Sequence, residues 1–151
     1  MAATESKTFT CTLISPAGRL LECAATSVIL PAHDGQVGIL YDHMPMLCQL
    51  GLGQMNVTVA AGQDAEKAPA APSSFFIDGG FALVAVNSVT VVAYEAVSLH
   101  EARSENIRSM MDKANKNVAD SALPPKQRAH ETERLRVLAR LAGTELPANG
   151  E

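Results

Sequence analysis

The chain has 151 residues, 47% of them hydrophobic but only 4% aromatic with no Trp, and a formal net charge of −4. That length suits one domain, or one domain with an appended element, and the core must rest on Val, Leu, Ile, Ala and Met. The acidic balance argues against nucleic acid as the partner, no run of 18 apolar residues is present to span a bilayer, and Met1-Ala2-Ala3-Thr4-Glu5-Ser6-Lys7 carries no secretory pattern.

The charge is divided unevenly. Residues 1–97 hold three Lys/Arg and eight Asp/Glu, whereas 98–142 hold nine Lys/Arg and six Asp/Glu. An acidic body with a basic appendage points to an acidic partner for the appendage; the alternative is a solvated helical surface. Cys11, Cys23 and Cys48 are odd in number and sit among apolar neighbours. They are expected as reduced core thiols of a cytosolic protein, not as a disulfide frame or a zinc site.

In chain order, Phe9, Cys11 and Leu13 alternate with Thr8, Thr10 and Thr12, a period of two that predicts a half-buried strand. Ser15-Pro16-Ala17-Gly18 is turn chemistry. Residues 20–25 and 26–30 make two further short strands. The region 31–53 then sets glycines and a proline around short apolar pieces, with strands at 37–40 and 47–50, and suits strand, tight loop and strand better than a helix. It holds no arrangement of nucleophile, base and oxyanion donors, so it is a contact surface before it is a catalytic one. Gly51-Leu52-Gly53 predicts a bend between strands.

Met55, Val57 and Val59 alternate with Asn56 and Thr58, and the Ala-, Pro- and Ser-rich run at 60–74 predicts a long surface hairpin loop. Residues 75–78, 81–86 and 89–94 complete the strands. Asn87-Ser88 is expected as a two-residue hairpin turn, and Asp78-Gly79-Gly80 as a tight turn or bulge with positive φ. Eight or more short strands at this spacing predict a β-sandwich or flattened barrel over residues 1–97.

At Ser98 the period changes to 3.6. Ser98-Leu99-His100-Glu101 is a capping-box pattern, and Leu99, Ala102, Ile107, Met110, Met111, Ala114 and Val118 fall on one stripe. Leu123-Pro124-Pro125 ends that helix, because neither proline donates a backbone hydrogen bond. A second helix is expected over 126–142, with Leu135, Leu138, Leu141 and Ala142 on its apolar side and Gly143 as its stop. The result is an antiparallel α-helical hairpin over 98–143 and a tail at 144–151. Its stripes are rich in Ala and Met, so it buries little and is suited to act as a switch.

The reactive groups do not assemble into an enzyme. No Gly-x-Ser-x-Gly elbow accompanies the Ser, His and Asp residues, and no Gly-x-Gly-x-x-Gly or Gly-Lys-Ser/Thr loop offers a phosphate site. His33 and His43 lie ten residues apart with Asp34 and Asp42 beside them. A metal there needs both imidazoles and a carboxylate to converge, which this spacing does not force. Turn-stabilising polar groups are the plainer use, and no metal or cofactor is expected.

The run Gly35-Gln36-Val37-Gly38-Ile39-Leu40-Tyr41-Asp42-His43-Met44-Pro45-Met46-Leu47 resembles the loop of the epsilon subunit of rotary F-type ATP synthases. Phe75-Phe76-Ile77-Asp78-Gly79-Gly80-Phe81-Ala82-Leu83-Val84 is similar to that family's strand, Gly-Gly-Phe, strand signature. The Ser-Pro turn, Gly53, the Val-Thr-Val strand and the helical hairpin follow in family order, over about residues 8–142. The resemblance implies a non-catalytic central-stalk subunit with no cofactor, on the cytoplasmic side of a bacterial inner membrane. It implies a sandwich packed on the gamma subunit whose loop end, Gly35, Gln36, Val37, His43 and Met44, touches the c-ring. It also implies a hairpin that can extend and inhibit hydrolysis, with Arg134, Arg136 and Arg140 facing an acidic segment of the beta subunit.

Two departures matter. Gln36 stands where family members often carry an acid, which replaces a charge pair by a neutral hydrogen bond. Members that bind ATP on the hairpin carry Ile/Leu-Asp-x-x-Arg-Ala, whereas this chain has Leu99-His100-Glu101-Ala102-Arg103-Ser104. Leu99 and Arg103 match, but His100 can accept the adenine amino group only as one neutral tautomer, so weak or absent ATP binding is expected. A free-standing sandwich with a helical dimerisation tail is the rival reading, and a small metal-dependent enzyme using His33 and His43 a weaker one.

Overall fold

The computed structural model describes residues 7–60, 73–99 and 103–143. The chain forms two compact units, residues 1–100 and 101–151. In the first, six strands run β1 (Phe9–Ser15), β2 (Gly18–Ala32), β3 (Gly35–Leu40), β4 (Met46–Val59), β5 (Ser73–Ala85) and β6 (Ser88–Ser98). The second holds helices α1 (Arg103–Ala119) and α2 (Pro125–Ala142). Most of the loop expected at 60–74, and the Glu101 half of the capping box, lie outside the described residues. Ser98, expected as the helix cap, instead ends β6 opposite Phe75, and Leu99, expected on the helix stripe, follows it outside the helix.

The architecture is the expected sandwich-like barrel, but the short runs fuse, giving six described strands where eight or more were expected. Residues 20–25 and 26–30 are one strand, because β2 changes partners along its length. Its first half pairs with β1 (Cys11↔Cys23), and its second half lies between β4 and β3 (Val28↔Val57, Val28↔Ile39). The sheet order β1-β6-β5-β4-β2-β3 is closed by the additional β1–β2 pairing, and β1 lies parallel to β6. Leu13, Val28, Leu30, Met55, Ile77 and Val91 are fully buried inside this closure. The alternation of β1 and β6 puts Phe9, Cys11 and Leu13, with Val89, Val91 and Ala93, toward the core.

Three turn expectations shift. Gly51-Leu52-Gly53 lies within β4 and not at a bend between strands; a Cβ on Gly53 would come 2.7 Å from the Pro31 Cβ, so glycine is what lets β2 close on β4. The β5–β6 turn is Val86-Asn87, since Ala85 pairs with Ser88, and Asn87 takes φ 48°. Gly79 and Gly80 do have positive φ, at 69° and 125°, yet they make neither turn nor bulge. Asp78↔Glu95 and Gly80↔Ala93 keep one register on one side, as Leu52↔Asp78 and Leu50↔Gly80 do on the other.

The core thiols make a pH prediction. Cys11 and Cys23 are buried and directly opposed, and burial first, then the neighbouring Cys23, pushes the Cys11 thiol up to about 12. Folding thus holds the proton: the folded chain keeps it after the unfolded chain has lost it. Stability is full below the ordinary thiol range and falls from about pH 9 toward pH 12, by an amount on the order of 3 kcal/mol. Urea melts from pH 8 to 11 are expected to show this slope, and Cys11→Ala to flatten it.

In the helical unit, Ile107, Met110 and Ala114 of α1 and Leu135, Leu138, Ala139 and Leu141 of α2 are buried. Ala142, expected on the apolar side, is exposed, and Ala139 is buried there in its place. Gly143 closes α2 in the left-handed conformation (φ 70°), with its N–H directed to the Ala139 and Arg140 carbonyls. Arg128 holds the turn between the helices: one guanidinium nitrogen donates to the carbonyls of Asp120 (3.3 Å), Ser121 (3.1 Å) and Leu123 (3.3 Å).

Candidate functional site

The residues expected to share one contact surface do not lie together. Ala32↔Gly35 and Pro31↔Gln36 close the β2–β3 hairpin, so Gly35 and Gln36 project at its tip with Val37 half-buried behind them. The tip is tied to β4 by the His33 N–H, which donates to the Gln49 carbonyl (2.9 Å). His43 and Met44 follow the far end of β3, and six extended residues span roughly 17 Å. There the His43 N–H donates to the Leu40 carbonyl (3.2 Å) and its Nδ1 donates to the Met44 carbonyl (2.8 Å). His33 and His43 thus sit at opposite ends of one strand, which removes the geometry a shared metal needs. Among the described residues no group of three His, Cys, Asp or Glu side chains is placed to hold a metal.

The far end of β3 is apolar on its surface. Leu40, Tyr41 and Met44 are exposed, as is Val86 in the β5–β6 turn, and the Lys7 ammonium lies 6.0 Å from the centre of the Tyr41 ring. Segments 39–43 and 84–89 meet around a cavity of only ≈ 10 Å³, too small for a ligand.

A larger surface was missed in the sequence. Register places Leu47 opposite Leu83, and Phe81 opposite Val92, with Tyr94 two residues further on the same face. These five side chains are 69%, 51%, 44%, 49% and 65% exposed, and Phe81 and Tyr94 meet edge to face at 6.4 Å between centroids. Their exposed area is on the order of 500 Å², near the top of the range for the largest patch on a monomer, where such patches are often functional. The signal was present: Phe81-Ala82-Leu83-Val84 and Val91-Val92-Ala93-Tyr94 are apolar at every position, where a strand with one wet face would alternate.

The glycine pair supports this face. A Cβ on Gly79 would come 2.8 Å from the Tyr94 ring, and one on Gly80 would come 2.1 Å from the Val92 carbonyl oxygen. Without side chains at both positions, β5 and β6 lie close enough for Tyr94 to fold over Gly79 and meet Phe81.

On the helical unit, Arg136 and Arg140 are both exposed and one turn apart, and Arg136 pairs with Glu133 at 3.3 Å. Arg134 is half-buried and engaged within the chain, so the three arginines do not form one face. Leu99 is buried at the end of the first unit, its N–H donating to the Ser74 carbonyl (2.8 Å); the Arg103 side chain lies outside the described residues. An open groove of ≈ 410 Å³ runs beside Asn117, Lys126 and His130.

The family model for the ATP synthase delta/epsilon chain β-sandwich domain matches residues 8–99, the whole of the described sheet. The chain is 39% identical over 97 residues to the mitochondrial ATP synthase subunit delta of Kluyveromyces lactis, covering 64% of this chain and 55% of that one. It is 32% identical over 99 residues to the ATP synthase epsilon chain of a Jannaschia species, covering 66% of this chain and 68% of that one. The matched segment thus spans little more than half the length of the yeast relatives. In solved structures, a chain of the Euglena gracilis mitochondrial ATP synthase superposes with a TM-score of 0.66 at 21% identity, over 91% of this chain and 81% of that chain. A chain from the Tetrahymena thermophila central stalk/c-ring structure gives 0.65 at 14% identity, over 88% and 95%. These two likenesses are of fold.

Proposed function

The chain belongs to the delta/epsilon-chain family of ATP synthase, and we propose that it is a non-catalytic central-stalk subunit coupling the gamma subunit to the c-ring. The observation that carries this reading is that the family match covers the unit bearing the exposed Leu47, Phe81, Leu83, Val92 and Tyr94 face. That face takes the gamma subunit. Burying it removes apolar surface from water and fixes the sandwich to the rotor.

The hairpin tip Gly35-Gln36-Val37 takes the polar loops of the c-ring, with the Gln36 amide both donating and accepting neutral hydrogen bonds where a carboxylate would only accept. Met44, three residues before Leu47, falls to the gamma side of this division, and His43 supports it through its bond to Met44. A closed barrel transmits torque between the two contacts because its strands are cross-bonded all round and resist shear.

The helical unit regulates. Arg136 and Arg140 meet an acidic segment of the beta subunit when the hairpin extends, and Arg134 serves the hairpin itself. The seat is the membrane-associated synthase; for this chain we take the cytoplasmic side of a bacterial inner membrane, in a family whose members include mitochondrial and chloroplastic chains.

The test is co-purification. The full chain is expected to bring down gamma and the c-ring, and deletion of 98–151 is expected to keep assembly and ATP synthesis while releasing hydrolysis. Loss of assembly on that truncation would overturn the division of labour between the two units.

A further inference from the structure

β3 has one bonded edge and one open one. It is last in the sheet order and pairs with β2 alone among the described strands. Pro31 has no N–H, so Gln36 opposite it is not in a doubly bonded pair. The antiparallel alternation then turns the N–H and C=O groups of Gln36, Gly38 and Leu40 to the open side. The carbonyl of Leu40, which accepts from the His43 N–H, agrees with that phase.

Among the described residues, only the His43 N–H at the Leu40 carbonyl touches this edge, and no lysine, proline or bulge lies along Gln36 and Gly38. Proteins guard open edges with lysine, proline, bulges or a covering element. Here Gln36, Gly38 and Leu40 are all exposed and uncharged, and a Cβ on Gly38 would meet nothing within 4 Å. An open, straight, uncharged edge is a template for another strand.

Charge says which strand. Asp34 and Asp42 flank β3, one at each end, and both are exposed. Two copies of this chain paired antiparallel about Gly38 would set Asp34 of each against Asp42 of the other, so self-pairing is disfavoured at both ends. Lys7 lies over the Tyr41 ring, next in sequence to Asp42, so the Asp42 end also carries a cation.

The geometry points to β3 as the docking edge for an extended segment of a stalk partner, uncharged at its centre and bearing Lys or Arg at both ends, which adds a strand beside Gly35–Leu40. This rests on the stalk reading above and makes the coupling contact a backbone ladder, stiffer than side-chain contact alone.

Hydrogen exchange on the full chain, free and within the purified assembly with gamma and the c-ring, tests it. The amides of Gln36, Gly38 and Leu40 are expected to exchange rapidly in the free chain and to slow by roughly a hundredfold in the assembly. The double variant Asp34→Lys, Asp42→Lys is expected to weaken association about tenfold and to reduce its salt dependence. Equal exchange at these three amides in an assembly that does form would overturn the strand-addition proposal alone. Protection in the free chain that grows with concentration would overturn it in favour of a second copy. A chain that never joins the assembly, read by gel filtration of the same sample, would fell the stalk reading first.

Discussion

Gly80→Ala is expected to leave the sandwich unable to fold at ordinary temperature, while the same change at Gly18 leaves it folded but weakened. Both glycines have φ 125°, a conformation that side-chain-bearing residues rarely adopt. At Gly18 nothing lies within 4 Å of a new Cβ, so the cost there is backbone strain, on the order of 1–3 kcal/mol. At Gly80 the new Cβ would stand 2.1 Å from the Val92 carbonyl oxygen and 2.8 Å from the Ala93 Cα.

Those are backbone atoms of the paired strand, held by Phe81↔Val92 and Ala82↔Val91, and they cannot swing aside as a side chain would. Relief requires β5 and β6 to part, which breaks one ladder of the closed barrel. The total cost is expected above about 4 kcal/mol, a large share of the ~5–15 kcal/mol that keeps a domain folded. Urea melts of the two variants against the parent chain give the answer, and the difference between them isolates the steric part. Equal melts would mean that the strands are not so closely apposed.

Leu83→Glu is the second large effect, and it acts on assembly, not on folding. Leu83 is half exposed, faces Leu47 across β4 and lies two residues from Phe81 on the outer side of the sheet. A carboxylate there stays in water in the free chain, so its melting curve should move little. In the proposed gamma contact it would be buried without a partner, and a buried unpaired charge at the centre of an interface costs several kcal/mol. Affinity for gamma is expected to fall by at least about a hundredfold. Leu20→Glu, an exposed apolar position on β2, is the control and should bind as the parent does. If Leu83→Glu binds gamma unchanged, the gamma contact lies on another face.

Much of the fold was legible because local pattern and global fold agree. Strand alternation in β1, the switch of period after residue 98 and the glycine after Ala142 each carry their own physical reason in a few neighbouring residues. The proline pair does separate the helices, but α1 has already ended at Ala119, and Pro125 opens α2 at a position where a missing N–H costs nothing. The contact surfaces were less legible. The motif at 35–47 drew attention to both ends of one strand at once, although an extended segment holds its ends far apart. The five-residue apolar face is not legible in the sequence because continuous apolar runs imply burial on both sides, and only pairing shows which side no other described strand covers. Arg128 carries no motif, since its three acceptors are main-chain carbonyls that any sequence would supply.

By itself, then, the sequence determined the kinds of element, their order, the glycines and prolines that punctuate them and the family they belong to, because each of these is written within a span of a few residues. The tertiary structure alone decided that β2 serves three neighbours, that β1 joins β6 in parallel and β2 in the closing pairing, that Gly80 must yield to a carbonyl twelve residues away, and that no described strand covers one sheet face and one strand edge. Those facts depend on which distant residues become neighbours, and that choice is made by burial and hydrogen-bond closure over the whole unit.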